Sequence, residues 1–153
     1  MNEIIIRTIE NKDVDKISYF EKEISEISFE EDAITDIEFH RKKLINAMTK
    51  EKEGMLVLCK NSDIIGWLWM TPKKNSITEE KYINFKSFYI VEKYRGKEMT
   101  DLLMKKGIEF ARSKYAKYIV EKVNIKNLPM RTVYKEFGFN PTHISMELKI
   151  KDE

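Results

Sequence analysis

The chain has 153 residues, 42% hydrophobic and 11% aromatic, which suits one globular domain (residues 1–153) with its own core rather than a disordered segment. Its 28 basic and 26 acidic residues are interspersed and leave a net charge of +2, so no basic block interleaved with stacking aromatics marks a nucleic-acid surface. A single cysteine, Cys59, excludes an intrachain disulfide, and the two distant histidines, His40 and His143, lack the spacing of a metal site.

No apolar run approaches the ~20 residues that span a bilayer, and the first seven residues lack the pattern of a signal peptide. The expected address is the cytoplasm, with no membrane partner and no metal. Cys59 lies in the apolar run 55–59 and reads as a buried small hydrophobe rather than a nucleophile.

In chain order, Ile4, Ile5 and Ile6 predict a first strand. Val14, Ile17, Phe20 and Ile24 then keep helical spacing over residues 13–24, with an acid near the helix start. Residues 25–32, rich in Glu26, Glu30, Glu31 and Asp32, read as a loop. A second amphipathic helix carries Ile34, Ile37, Arg41, Leu44, Ile45 and Met48 on one side, with His40 at its border. Gly54 ends it. Residues 55–60 and 64–70 flank the turn Asn61-Ser62-Asp63 as a hairpin, with Ile65, Trp67 and Trp69 on one face, packed under a helix. Residues 71–81 read as a loop.

A strand over residues 83–91 follows, then a charged turn holding Arg95, Gly96 and Lys97. A helix opens near Glu98 and Met99 and runs to about Lys114. Residues 118–123 form another strand, 124–127 a turn and 128–137 a short helix capped by Gly138. In the tail, Ile144, Met146, Leu148 and Ile150 alternate and predict a last strand, mainly over residues 143–149. The order β-α-α-β-β-β-α-β-α-β is that of a mixed α/β domain.

A strand that delivers a basic, glycine-bearing turn to a helix start makes an anion site, because the unsatisfied N–H groups and the positive dipole end face the turn. With one glycine, this turn is neither a dinucleotide fingerprint nor a phosphate loop ending in Gly-Lys-Ser/Thr. A solvated turn would explain it as well. The upstream segment Phe88-Tyr89-Ile90-Val91-Glu92-Lys93-Tyr94-Arg95-Gly96-Lys97 gains meaning from a downstream one. There Val123 and Asn127 are followed by Val133-Tyr134-Lys135-Glu136-Phe137-Gly138-Phe139. Together, at this separation and in this element order, they resemble the GNAT superfamily of acyl-CoA-dependent N-acetyltransferases over nearly the whole chain.

The resemblance implies a mostly antiparallel sheet with splayed central strands and about four helices. It also implies acetyl-CoA as acyl-donor cosubstrate, an amine acceptor, and room for a homodimer. Phe88 and Ile90 match the strand whose backbone meets the pantetheine arm. Arg95, Gly96, Lys97, Glu98, Met99 and Thr100 match the pyrophosphate loop. Asn127 matches the asparagine that fixes the arm, and Tyr134 the tyrosine whose hydroxyl lies near the cofactor sulfur. These residue types fit the chemistry: a strand N–H stabilises the charge that develops on the carbonyl oxygen, and a phenol can protonate the leaving thiolate.

Two positions depart from the family pattern, Glu98 and Thr100, where glycine or a small residue is usual. Thr100 can donate to a phosphate oxygen. Glu98 puts a carboxylate beside the pyrophosphate and implies weaker cofactor binding unless it turns to solvent. The strand before the loop offers Asn84, Lys86 and Ser87 but no carboxylate to act as base. Glu121, on the next strand beside Ile119 and Val123, is the expected catalytic carboxylate; an ion pair at the strand edge is the competing reading. Glu26, Glu30 and Glu31 come next. An acyl-CoA-binding regulatory or protein-interaction module without turnover is the alternative function, supported by Glu98 and the missing strand carboxylate. A nucleic-acid-associated protein is the weakest reading.

Overall fold

The computed structural model describes residues 3–151, apart from the side chain of Lys97. The chain divides into two compact units, Met1–Lys122 and Val123–Glu153. The first holds a five-stranded sheet in the order β1-β2-β3-β4-β5, made of Ile4–Thr8, Met55–Lys60, Asp63–Lys74, Lys81–Ile90 and Tyr118–Glu121. The ladders are antiparallel except that of β4 with β5, which is parallel. Helices α1 (Val14–Phe29), α2 (Ile37–Met48) and α3 (Lys97–Ser113) complete this unit.

Helix α1 follows a 3-10 turn (Asn11–Asp13) in which Asp13 and Glu10 cap each other's backbone. It buries Val14, Ile17 and Phe20 against Met55, Val57, Trp67, Trp69 and Tyr89. It runs five residues further than its apolar spacing predicts. Ile24 still packs against the core, Glu26 is exposed on the helix, and Glu30, Glu31 and Asp32 fall in a 3-10 turn after it. Glu30, at φ of 50°, ends it. Helix α2 starts later than expected, at Ile37, because the Asp36 side chain caps it by accepting from the Glu38 N–H at 3.0 Å. Its buried stripe is His40, Leu44 and Ala47, so Ile34 and Ile45 stay exposed.

Two bulges reset the faces of the sheet. Leu58 pairs with Gly66 but Cys59 pairs with Ile64, which makes Ile65 the extra residue. As a result Ile64, not Ile65, joins Trp67 and Trp69 on the α1–α2 side. On β4, Ser87 pairs with Trp69 and Phe85 with Met70, which leaves Lys86 bulged. Strand β3 runs on to Lys74 through Pro72, and the predicted loop shrinks accordingly. β2 stops at the pair Met55↔Trp69, so the N–H that proline lacks is not asked for by a second neighbour. On the opposite face α3 lies close to the sheet: a Cβ on Gly107 would stand 2.6 Å from Phe85 Cζ and 3.0 Å from Leu68 Cδ2.

The second unit holds α4 (Leu128–Glu136) and no strand among its described residues. The strand expected over residues 143–149 is therefore not one of the five. An alternating segment becomes a strand only with a ladder partner, and residues 143–149 join no ladder among the described residues. Within the chain no helix among the described residues is long and apolar enough to cross a membrane.

Candidate active site

The feature that separates β4 from its neighbours is an unequal pair of ladders. On one side β3 pairs with β4 as far as Ile90. On the other, the β5 ladder ends at Phe85↔Glu121, so residues 86–90 have no ladder partner on that edge. This fork is the splay of the central strands. Phe88 is half-buried at its mouth and stacks on Phe85, with ring centroids 6.4 Å apart. Glu121 stands at the last ladder pair, half-exposed.

Beyond Ile90 the chain makes a single turn of 3-10 helix (Glu92–Tyr94) and enters α3 through Gly96. Gly96 is extended at φ of 169°, so the backbone does not demand glycine, yet a Cβ there would meet nothing within 4 Å. No side chain caps this helix start. Its first N–H groups are therefore available to an anion, reinforced by the dipole of a 17-residue helix. Met99 is buried and anchors the first turn, whereas Glu98 is exposed and Thr100 half-exposed. Arg95 folds back onto β4: its Nε donates to the Ile90 carbonyl at 2.7 Å, and its guanidinium lies 5.3 Å from the Tyr89 ring centre. The Lys97 side chain lies outside the described residues.

On the α1–α2 side of the same strand, carboxylates meet the sheet. Glu21 of α1 is 7% exposed, and its Oε2 accepts from Trp67 Nε1–H at 2.9 Å and from Ser87 Oγ–H at 2.6 Å. Glu23 accepts from the Tyr89 hydroxyl. Burial, together with that carboxylate, pushes the Tyr89 phenol up to about 12. Glu51 accepts from Trp69 Nε1–H at 3.1 Å and pairs with the bulged Lys86 at 3.4 Å. The Lys86 ammonium also sits 4.2 Å from the Trp69 ring centre. A hollow of about 580 Å³ opens beside Phe20, Glu23 and Tyr89. Burial raises the Cys59 thiol, which suits an inert core residue.

In the second unit, Asn127 caps α4 by accepting from the Met130 N–H at 3.3 Å. The helix closes on Gly138, at φ of +93°. Phe139 N–H donates to the Tyr134 carbonyl at 2.9 Å and Gly138 N–H to the Lys135 carbonyl at 3.0 Å. These are the two bonds of a Schellman ending, and the Tyr134–Phe139 ring contact, with centroids 5.1 Å apart, is its apolar clasp. Tyr134 is thereby buried and held in one orientation.

A family model for GNAT acetyltransferases matches residues 16–139, from within α1 to the end of the Schellman turn. The chain belongs to the GNAT acetyltransferase family. No curated protein matches this GNAT chain in sequence. Solved structures share its fold at low identity. A possible acetyltransferase from Clostridium difficile 630 is 16% identical, with 97% of this chain and 99% of that one covered and a TM-score of 0.78. A GNAT family acetyltransferase from Staphylococcus aureus is 19% identical, over 96% and 98%, with a TM-score of 0.70. A predicted acetyltransferase from Clostridium acetobutylicum, solved with acetyl-CoA, is 16% identical over 96% of both chains, with a TM-score of 0.75.

Of the residues expected from the GNAT resemblance, the first unit brings Phe88, Ile90, Arg95, Gly96, Glu98, Met99 and Thr100 into one continuous run from fork to helix start. Glu121 stands at the base of the fork. Asn127 and Tyr134 lie at the two ends of α4. Glu21, Glu23 and Glu51 were missed. The signal for Glu21 was readable, since it falls four residues after Ile17 and three before Ile24, squarely on the apolar stripe of α1. Among the described residues no group of three metal-ligating side chains is gathered.

Proposed function

We propose that this chain transfers an acetyl group from acetyl-CoA to a primary amine of a small molecule, peptide or protein by direct attack on the thioester. The observation that carries the reading is the bare edge of residues 86–90 leading straight into the uncapped start of α3. An extended arm with amide groups pairs with such an edge as a further strand would, and its pyrophosphate meets the helix N–H groups. The open space at Gly96 fits a close-lying phosphate. The neighbour solved with acetyl-CoA supports the same cosubstrate here.

In this reading Phe88 and Ile90 supply main-chain partners to the arm, and an N–H of the bare edge stabilises the developing oxyanion. Arg95, Gly96, Lys97, Glu98, Met99 and Thr100 form the pyrophosphate cradle. The Oδ1 of Asn127 is engaged in capping, so its Nδ2 is the end that would hold the arm. Tyr134, fixed by its Schellman clasp, gives its hydroxyl proton to the leaving thiolate. Glu121, at the base of the fork, draws in the acceptor's ammonium group. That residues 1–153 act as one N-acetyltransferase-like domain belongs to the same proposal, and the family match across both units supports it.

Exposed Glu98 favours one other reading, an acyl-CoA-binding module without turnover. Thiol release from acetyl-CoA in the presence of a broad panel of primary amines separates the two. The transferase reading expects release that Tyr134→Phe slows about 10²-fold, in the range usual for loss of a proton donor. Cofactor binding with no release on any amine supports the module instead.

A further inference from the structure

Glu21 is a buried carboxylate whose partners are both neutral, the Trp67 indole and the Ser87 hydroxyl. The ion pairs recorded among the described residues do not include it. A staple between α1 and the sheet needs only an acceptor, and glutamine would accept the same two bonds. A carboxylate adds what glutamine lacks, an oxygen that can take up a proton. Its position suggests a use for that oxygen. Ser87 follows the bulged Lys86 and immediately precedes Phe88, inside the stretch of β4 that lacks a ladder partner. Bulges beside active sites re-aim side chains in this way.

We propose that Ser87 and Glu21 form the proton path of the acetyl transfer, with Glu21 as the terminal acceptor. This rests on the transferase reading above. The acceptor's ammonium nitrogen gives one proton to Ser87 Oγ as the Ser87 hydroxyl proton moves to Glu21 Oε2, which leaves a neutral amine. The nitrogen then bonds to the thioester carbon and the C–S bond breaks. The second nitrogen proton passes to water, the leaving sulfur takes the Tyr134 hydroxyl proton, and water restores that proton to Tyr134. Amide and free thiol result, and Glu21 returns its proton to solvent. In this path Ser87, 4% exposed beside the bare edge of β4, is the group that meets the amine, and Glu21 acts through it.

Other charged groups along this face include Glu23, bonded by Tyr89, and Arg95, 5.3 Å from the Tyr89 ring centre, on one side. On the other are the Glu51–Lys86 pair and Lys43 of α2, whose ammonium lies 5.5 Å from the Trp69 ring centre. The 2.6 Å hydroxyl–carboxyl contact is the short link in the path.

The test compares the full chain with Glu21→Gln and Ser87→Ala, using acetyl-CoA and n-butylamine as probes. The expected result is a loss of roughly 10²-fold or more in kcat for both variants. Acetyl-CoA affinity and melting temperature should hold, and the rate of Glu21→Gln should climb with pH toward the amine's own ionisation. Wild-type turnover and an unchanged pH profile in Glu21→Gln would overturn the proposal, whatever its melting temperature.

A second readout does not need turnover. Trp67 and Trp69 are the only tryptophans, so in a Trp69→Phe background the emission reports the indole bonded to Glu21. An acid–base step in that emission, moved by acetyl-CoA and abolished by Glu21→Gln, supports the path. A step that acetyl-CoA does not move overturns it. If wild-type protein binds acetyl-CoA but releases no thiol, the transferase reading fails, and this titration still decides whether Glu21 answers to the cofactor.

Discussion

Asp13 shows how one side chain sets the entry to a helix. Its two carboxylate oxygens accept from the Arg7 guanidinium at 2.7 and 3.0 Å, and one also accepts the Glu10 N–H at 2.8 Å. Burial alone would raise its carboxyl, but Arg7 and the Glu10 N–H outweigh burial and hold it below the usual carboxylate range. A depressed carboxyl stabilises the fold above its unfolded pKa of about 3.9 and loses that contribution as pH falls through the native value. Thermal melts should therefore show stability falling below about pH 4 in the wild type, with a flatter acid limb in Asp13→Asn. An identical acid limb in both would show that the ion pair does not carry the linkage. Tyr89 has the opposite sign: its raised phenol stabilises fully below about pH 10 and loses this as pH rises toward about 12.

Among elements, α3 is the one whose placement matters most, because its start is the proposed anion site. It reaches the sheet through Gly107, where a methyl group would press on Phe85 and Leu68. Gly107→Ala should destabilise the protein by about 1–3 kcal/mol, as overpacking does, read from the midpoint of urea unfolding. A midpoint unchanged or raised would mean that the Phe85 ring yields freely.

Much of this level was legible beforehand. The helix of Ile17 and Phe20, the hairpin around Asn61 and the glycine ending at Gly138 follow from spacing and turn chemistry. What escaped were features set by partners rather than by local pattern. The bulge at Ile65 moves one residue across the sheet, and no periodicity announces it. Strand β3 passes through Pro72 only because β2 is short there. In the candidate site, the strand–turn–helix run was legible from Arg95 and Gly96. The place of Glu21 on the apolar stripe of α1 was legible too, but its partners were not, because nothing in the sequence points to the Trp67 and Ser87 opposite it.

For the molecule as a whole, the claim is that a five-stranded forked sheet and α4 belong to one acetyl-CoA-dependent transferase. Family membership spans residues 16–139 and so takes in parts of both units. In the proposed binding mode the fork and the helix start meet the arm and the phosphates through main chain, so few side chains would mark them. The most direct measurement is calorimetric titration with acetyl-CoA of the wild type and of Gly96→Ala. The account predicts saturable one-to-one binding by the wild type. Gly96→Ala should melt at the same temperature, since a Cβ there meets no protein atom, yet bind at least tenfold more weakly. No binding by the wild type at millimolar acetyl-CoA, or equal affinity in both proteins, would contradict it.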